Sequence, residues 1–229
     1  RKTADKLPVE TKKKIFYRFM LPLVMHANTM VLDRRERLRR MQDTIDKGGS
    51  LKKADESWLR QIGALLRITD GDKANQPMDS EALGRMIDQA LYKLDTIPPG
   101  LALGQAAYES GYGTSRFAVE GNALFGQWTF GGEGLVPEQQ RSTLGDHRIA
   151  SFEWPFDSVR GYFINLSAHP AYEDFRRIRA EYRSEGKALS SLALADGLEK
   201  YSERGEEYVS TLKGIIRNNN LQAFDDAVF

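Results

Sequence analysis

The sequence predicts a mainly α chain of the α+β kind, with a helical body, a small β-hairpin lobe and long helices at the N-terminus. Three observations predict it. Apolar residues recur at helical spacing through most of the 229 positions. Turns marked by glycine and proline cut that pattern into separate segments. One stretch alone, about 126–153, changes to short β-type runs around glycines.

Taken in order, residues 8 to about 46 read as one long amphipathic helix with a possible kink at Pro22. Phe16, Met20, Leu23, Ala27, Met30, Val31, Leu38, Met41 and Ile45 form its apolar face, and Gly48-Gly49-Ser50 ends it. A second helix over 55–68 turns Trp58, Leu59, Ile62, Leu65 and Leu66 inward. Residues 69–77 read as a loop. A third helix, Ser80 to Leu94, is capped by Asp79 or Ser80. This divides the chain into an N-terminal helical extension, 1–75, packed on a body at 76–229.

The fourth helix starts near Thr96, with Pro98-Pro99 in its first turn, where amide hydrogens lack partners anyway. Ala102, Leu103, Ala106 and Ala107 make it small-sided enough to sit deep in a core. Glu109 closes it, before the turn of Gly111 and Gly113. A carboxylate there lies at the negative end of the helix dipole among apolar and aromatic neighbours. Both influences disfavour the ionised form and raise the pKa. A carboxylic acid protonated near neutral pH is what a glycosidase needs to protonate a leaving sugar oxygen. After a short helical turn at 114–119, Gln127–Phe130 and His147–Phe152 read as strands, and helices follow near 155–167, 170–185, 188–196 and 204–217.

The run Gln105-Ala-Ala-Tyr-Glu109-Ser-Gly-Tyr-Gly113, followed by Asn122-Ala-Leu-Phe-Gly126, resembles the signature of bacterial glucosaminidase-domain proteins, the family 73 glycoside hydrolases. The nearest likeness is to their Bax-like branch, found in Gram-negative bacteria. Pro137, Arg141, His147, Asn165–Tyr172, Phe175–Arg179 and Tyr201–Tyr208 extend the likeness to roughly residues 80–225. Tyr112 stands where the wider family often has Trp, and Ala123 where it often has Asn. The resemblance implies a lysozyme-like fold and cleavage of peptidoglycan glycan strands after N-acetylglucosamine, with Glu109 as general acid. It implies a periplasmic or envelope location. A lytic transglycosylase on the same fold, and a non-catalytic glycan-binding or scaffold module, are the alternatives.

The resemblance also supplies partners for the acid. The second carboxylate of the family comes from the β lobe, where Glu133, Glu138 and Asp146 are available and Glu138 stands nearest the expected place. A sugar bearing an N-acetyl group can instead use its own acetamido oxygen. Tyr201 matches the first tyrosine of a family element that lines the active site, and its phenol suits a carbonyl. Phe125, Gln127 and Trp128 suit a sugar-groove wall; Trp128 reads almost equally as a core residue of the lobe. Asn122 suits the backbone turn better than the substrate. Tyr112 either shields Glu109 from water or packs.

Composition sets the exclusions. The chain is 41% hydrophobic and 28% charged, with net charge +1 and no cysteine. It offers no global field for nucleic acid and needs no disulfide. His26, His147 and His169 lack metal-ligand spacing, and no nucleotide loop appears, so no metal and no cofactor is expected. No apolar run reads as long enough for an integral membrane segment. The basic runs at 12–14 and 34–40 read as solvated helix faces, leaving room for weak association with an anionic envelope surface. The chain begins at Arg1, so a missing export signal says nothing of location.

Overall fold

The computed structural model describes residues 6–68, 78–130, 134–135 and 147–227, with 128–149 given as backbone only. It is mainly helical. Helix α1 (Val9–Asp46) continues through Pro22 without a break and buries Phe16, Met20, Val24, Ala27, Val31, Leu38 and Met41. This stripe packs on the third, fourth and sixth helices. One 18-residue window of α1 reaches a mean hydropathy of 1.3. By length and composition α1 therefore meets the test for crossing a membrane, contrary to the expectation that no run does.

Helix α2 (Lys53–Leu65) is shorter than expected at its C-terminal end. Leu65, expected inward, is 39% exposed, because the buried face runs through Leu59, Ile62 and Leu66, three and four residues apart, and leaves Leu65 off it. Helix α3 (Ser80–Lys93) has Asp79 as its N-cap, accepting from the Ala82 amide at 2.8 Å. Helix α4 (Pro99–Ser110) begins after Pro98, later than Thr96, and ends at the left-handed Gly111.

Helix α4 is the axis of the body. Pro99 to Ala107 are all buried, with α1, the helices Ser191–Leu194 and Glu206–Asn218, and the 3-10 turn Leu221–Phe224 packed around them. Its small residues make this possible: a β-carbon at Gly104 would lie 2.9 Å from Ile216 Cγ1. The remaining elements are α5 (Arg116–Gly121), α6 (Pro155–Ala168), α7 (Glu173–Ser184), α8 (Ser191–Leu194) and α9 (Glu206–Asn218). The helices expected at 170–185 and 188–196 are each partly 3-10, at Pro170–Tyr172 and Ala195–Tyr201.

Two arginines of α7 are buried and bind the ends of other helices. Arg179 donates to the carbonyls of Lys93 (2.7 Å) and Asp95 (3.0 Å), and Arg176 to those of Leu166 and His169. These carbonyls end α3 and α6, where no intrahelical donor remains. Arg183 closes the same network on the Asp95 carboxylate. The guanidinium groups of Arg183, Arg179 and Arg35 hold the Asp95 pKa low despite its burial.

Three short backbone segments pair antiparallel in the order β1 (Trp128–Phe130), β3 (His147–Ala150), β2 (Gly134–Leu135), with Trp128 opposite Ile149. Half of the stretch expected to form a β lobe, 131–133 and 136–146, lies outside the described residues.

Candidate active site

Gln105 and Glu109 are one helical turn apart on α4 and so share a face. The rest of that helix is small or apolar, which leaves these two polar groups without intrahelical partners. Tyr162 of α6 and Tyr208 of α9 supply them. The Tyr162 hydroxyl donates to Gln105 Oε1 at 2.5 Å, and Gln105 Nε2 donates to the Tyr208 hydroxyl oxygen at 2.9 Å. Tyr208 in turn is hydrogen-bonded to the Glu109 carboxyl. A phenol has a single proton. With Gln105 donating into the Tyr208 oxygen, that proton is directed at Glu109. Gln105, Tyr162 and Tyr208 are all fully buried, so the direction of the chain is set by groups shielded from water.

The Glu109 carboxyl lies over the backbone at Gly126. A β-carbon there would come within 2.9 Å of Oε2, and Gly126 has φ +59°. Glycine meets both the left-handed backbone and the close approach. Burial pushes the Glu109 pKa from 4.5 up to about 7, while the Tyr208 hydrogen bond pulls the other way. The residue nonetheless keeps part of its surface in solvent. It is therefore an acid half-protonated near neutral pH, held in one place and reachable from outside, which is the condition for donating a proton to a leaving oxygen.

The other expected site residues fall into three groups. Phe125, expected as groove wall, is fully buried and stacked on Tyr162 with ring centroids 4.0 Å apart. It supports the segment from behind, since a fully buried ring has no face open to sugar. Tyr201 spends its proton on the Phe125 carbonyl (2.8 Å) and stacks on Tyr208. It fixes the Phe125–Gly126 backbone that faces Glu109 and has no proton to offer an acetamido oxygen. Gln127, expected to bind sugar, is tied to Ser158 through both ends of its amide, each at 3.2 Å. Asn122 is a left-handed helix cap whose amide donates to the carbonyls of Phe152 and Glu153, which is the backbone role anticipated for it. Tyr112 packs edge-on against Phe16 and Tyr17 of α1. The Trp128 side chain and Glu138 lie outside the described residues, as do Glu133 and Asp146. Among the described residues no cluster of acidic or histidine side chains is able to hold a metal ion.

Sequence reasoning missed Gln105, Tyr162, Tyr208 and Ser158. One signal for Gln105 was available: a lone amide four residues before the acid, in a helix otherwise built of alanine, leucine and glycine. Tyr162 and Ser158 carried none, because only the tertiary structure brings α6 under the site.

Comparison with known proteins agrees with the geometry. A family model described as mannosyl-glycoprotein endo-beta-N-acetylglucosaminidase, Glucosaminidase, matches residues 86–221. The curated protein named Protein bax of Escherichia coli (strain K12) is 27% identical over 209 residues, covering 91% of this chain and 70% of that one. No solved structure matches. At family level this is a glycoside hydrolase fold with a glycan substrate. With the matched region spanning more than half of the sequence and containing the buried acid, the chain belongs to the glucosaminidase family, as a Bax-like glucosaminidase-domain protein.

Proposed function

We propose that the protein is a peptidoglycan hydrolase of the bacterial envelope that cuts glycan strands after N-acetylglucosamine, with Glu109 as general acid. The observation that carries this reading is the Glu109 carboxyl, raised to about 7 by burial and fixed by Tyr208 and Gly126. In the reaction Glu109 gives its proton to the bridging oxygen as the C1–O bond breaks. A water then adds its oxygen to C1, and its released proton restores the acid, so the net change is one water consumed. The nucleophile ahead of that water is the substrate's acetamido oxygen or a carboxylate of the 131–146 segment, with Glu138 our candidate. In this reading a β lobe at about 126–153, carrying Trp128, forms the far wall of the glycan cleft.

The test is mass spectrometry of wall fragments released by the wild-type chain and by Glu109→Gln. The expected products are fragments with N-acetylglucosamine reducing ends, absent with the variant. Anhydro-muramic ends would make the protein a lytic transglycosylase instead. Cleavage that survives in Glu109→Gln would remove the acid from its role.

A further inference from the structure

The turn that follows Glu109 forms one side of a second feature. Tyr112, Thr114 and Asn122 face Lys12, Phe16 and Phe19 of α1 across a groove of about 300 Å³. The two segments that bound it are those that flank the acid: the 110–114 turn directly follows Glu109, and Leu124, also in the groove, stands two residues before Gly126. The groove and the candidate site thus share both of these chain segments. Its chemistry differs from that of a sugar subsite, which needs convergent amides and carboxylates for hydroxyl groups. The Asn122 amide is already committed to two backbone carbonyls. What remains is apolar surface, including Phe19 at 47% exposed and Ile15 at 54%, with one cation. Lys12 makes no ion pair among the described residues, whereas its neighbour Lys13 is paired with Glu10 at 2.9 Å. Lys14 and Arg18, on the same stretch of α1, are exposed and likewise make no ion pair among the described residues.

We propose that this groove binds the peptide stem of the glycan, with Lys12 taking a stem carboxylate and Phe16, Phe19 and Tyr112 taking its methyl and methylene groups. The inference rests on the peptidoglycan reading and names which form of that polymer the site takes. A stem peptide offers methyl and methylene groups beside free carboxylates, matching an apolar groove with an unpaired ammonium. The α1 side of the groove lies outside the family match, which begins at residue 86. Selection for peptide-bearing glycan is therefore a property added by the N-terminal helix and not by the domain alone.

The test uses the full chain carrying Glu109→Gln, so that binding is read without turnover. Its affinity is measured for a peptide-bearing glycan tetrasaccharide and for the same tetrasaccharide stripped of peptide by an amidase. Tighter binding of the peptide-bearing form is expected. Adding Lys12→Glu, or separately Phe19→Ala, should cut that preference by about fivefold to tenfold, the size of one partly screened charge pair reversed. Both positions are surface-facing, so the variants retain the core. No preference, or an equal loss on both glycans, overturns the groove assignment. Hydrolysis by the wild-type chain is scored in parallel. A persistent preference in a chain that cleaves neither glycan upholds the groove and refutes the hydrolase reading.

Discussion

Glu109→Gln should make the protein more stable at pH 8 while abolishing cleavage. The Glu109 carboxyl is raised from 4.5 to about 7 by burial. A group whose folded pKa lies above its unfolded value holds its proton more tightly when folded, so stability falls as pH rises through that window. The loss is small below pH 4.5 and complete above pH 7. The displacement corresponds to a ceiling of about 3 kcal/mol. The residue keeps part of its surface in water, and the screening this brings lowers the expected figure to about 2 kcal/mol. Glutamine is neutral at every pH, still accepts from Tyr208 through its carbonyl oxygen, and carries none of this penalty. The variant should therefore melt about 4–8 °C above wild type at pH 8, with only a small part of that gain left at pH 5. Thermal unfolding at the two pH values measures it. An equal gain at both, or no gain at pH 8, would refute the idea that the acid is kept neutral by burial.

Other expectations follow from the same geometry. Cleavage should fall as pH rises through about 7, and Tyr208→Phe should move that alkaline limb upward by about one pH unit, because the lost hydrogen bond stabilised the carboxylate; a pH–rate profile reads both. Gln105→Leu strands the buried Tyr162 phenol and removes the donor to the Tyr208 oxygen, and should cost about 2 kcal/mol in urea unfolding, with the direction of the Tyr208 proton no longer fixed by Gln105. Gly126→Ala puts a methyl group 2.9 Å from Oε2 at a left-handed backbone position, and should lower kcat about a hundredfold with a modest fall in Tm.

The helical framework was legible because its signals are local. The stripe Phe16–Met41, the Asp79 cap, the Gly111 stop and the small-sided α4 are each readable within one or two turns of chain. Glu109 stood out for the same reason, since its helix position and apolar neighbours are sequence facts. Its partners did not. Tyr162, Tyr208 and Ser158 reach the site from α6 and α9, and only packing decides which side of each helix faces α4. Phe125, Gln127 and Tyr201 show what the sequence could not: each has an intramolecular partner beside the acid. Aromatic and amide side chains suit sugar, yet here they hold the backbone that faces the acid. Composition cannot separate a groove wall from the support beneath it, because both use the same residue types.

The N-terminal helix is more than an appendage to this arrangement. An acid raised by burial needs its helix enclosed, and α4 is enclosed on one side by α1. The contact is also directional. Asn28 clasps the backbone of Ile97, donating to its carbonyl at 2.8 Å and accepting from its amide at 2.9 Å, two residues before α4 begins. Arg35 donates to the carbonyls of Leu91 and Leu94 at the end of α3. Both α1 side chains therefore hold the α3–α4 connection, and Phe16 packs on Tyr112 just past the other end of α4. A helix gripped ahead of its first turn and beyond its last has little freedom to slide or rotate, and the carboxyl in its final turn inherits that rigidity. The family match omits α1, yet α1 grips both ends of the helix that carries Glu109, so the structural unit around that carboxyl is larger than the region that identifies the family.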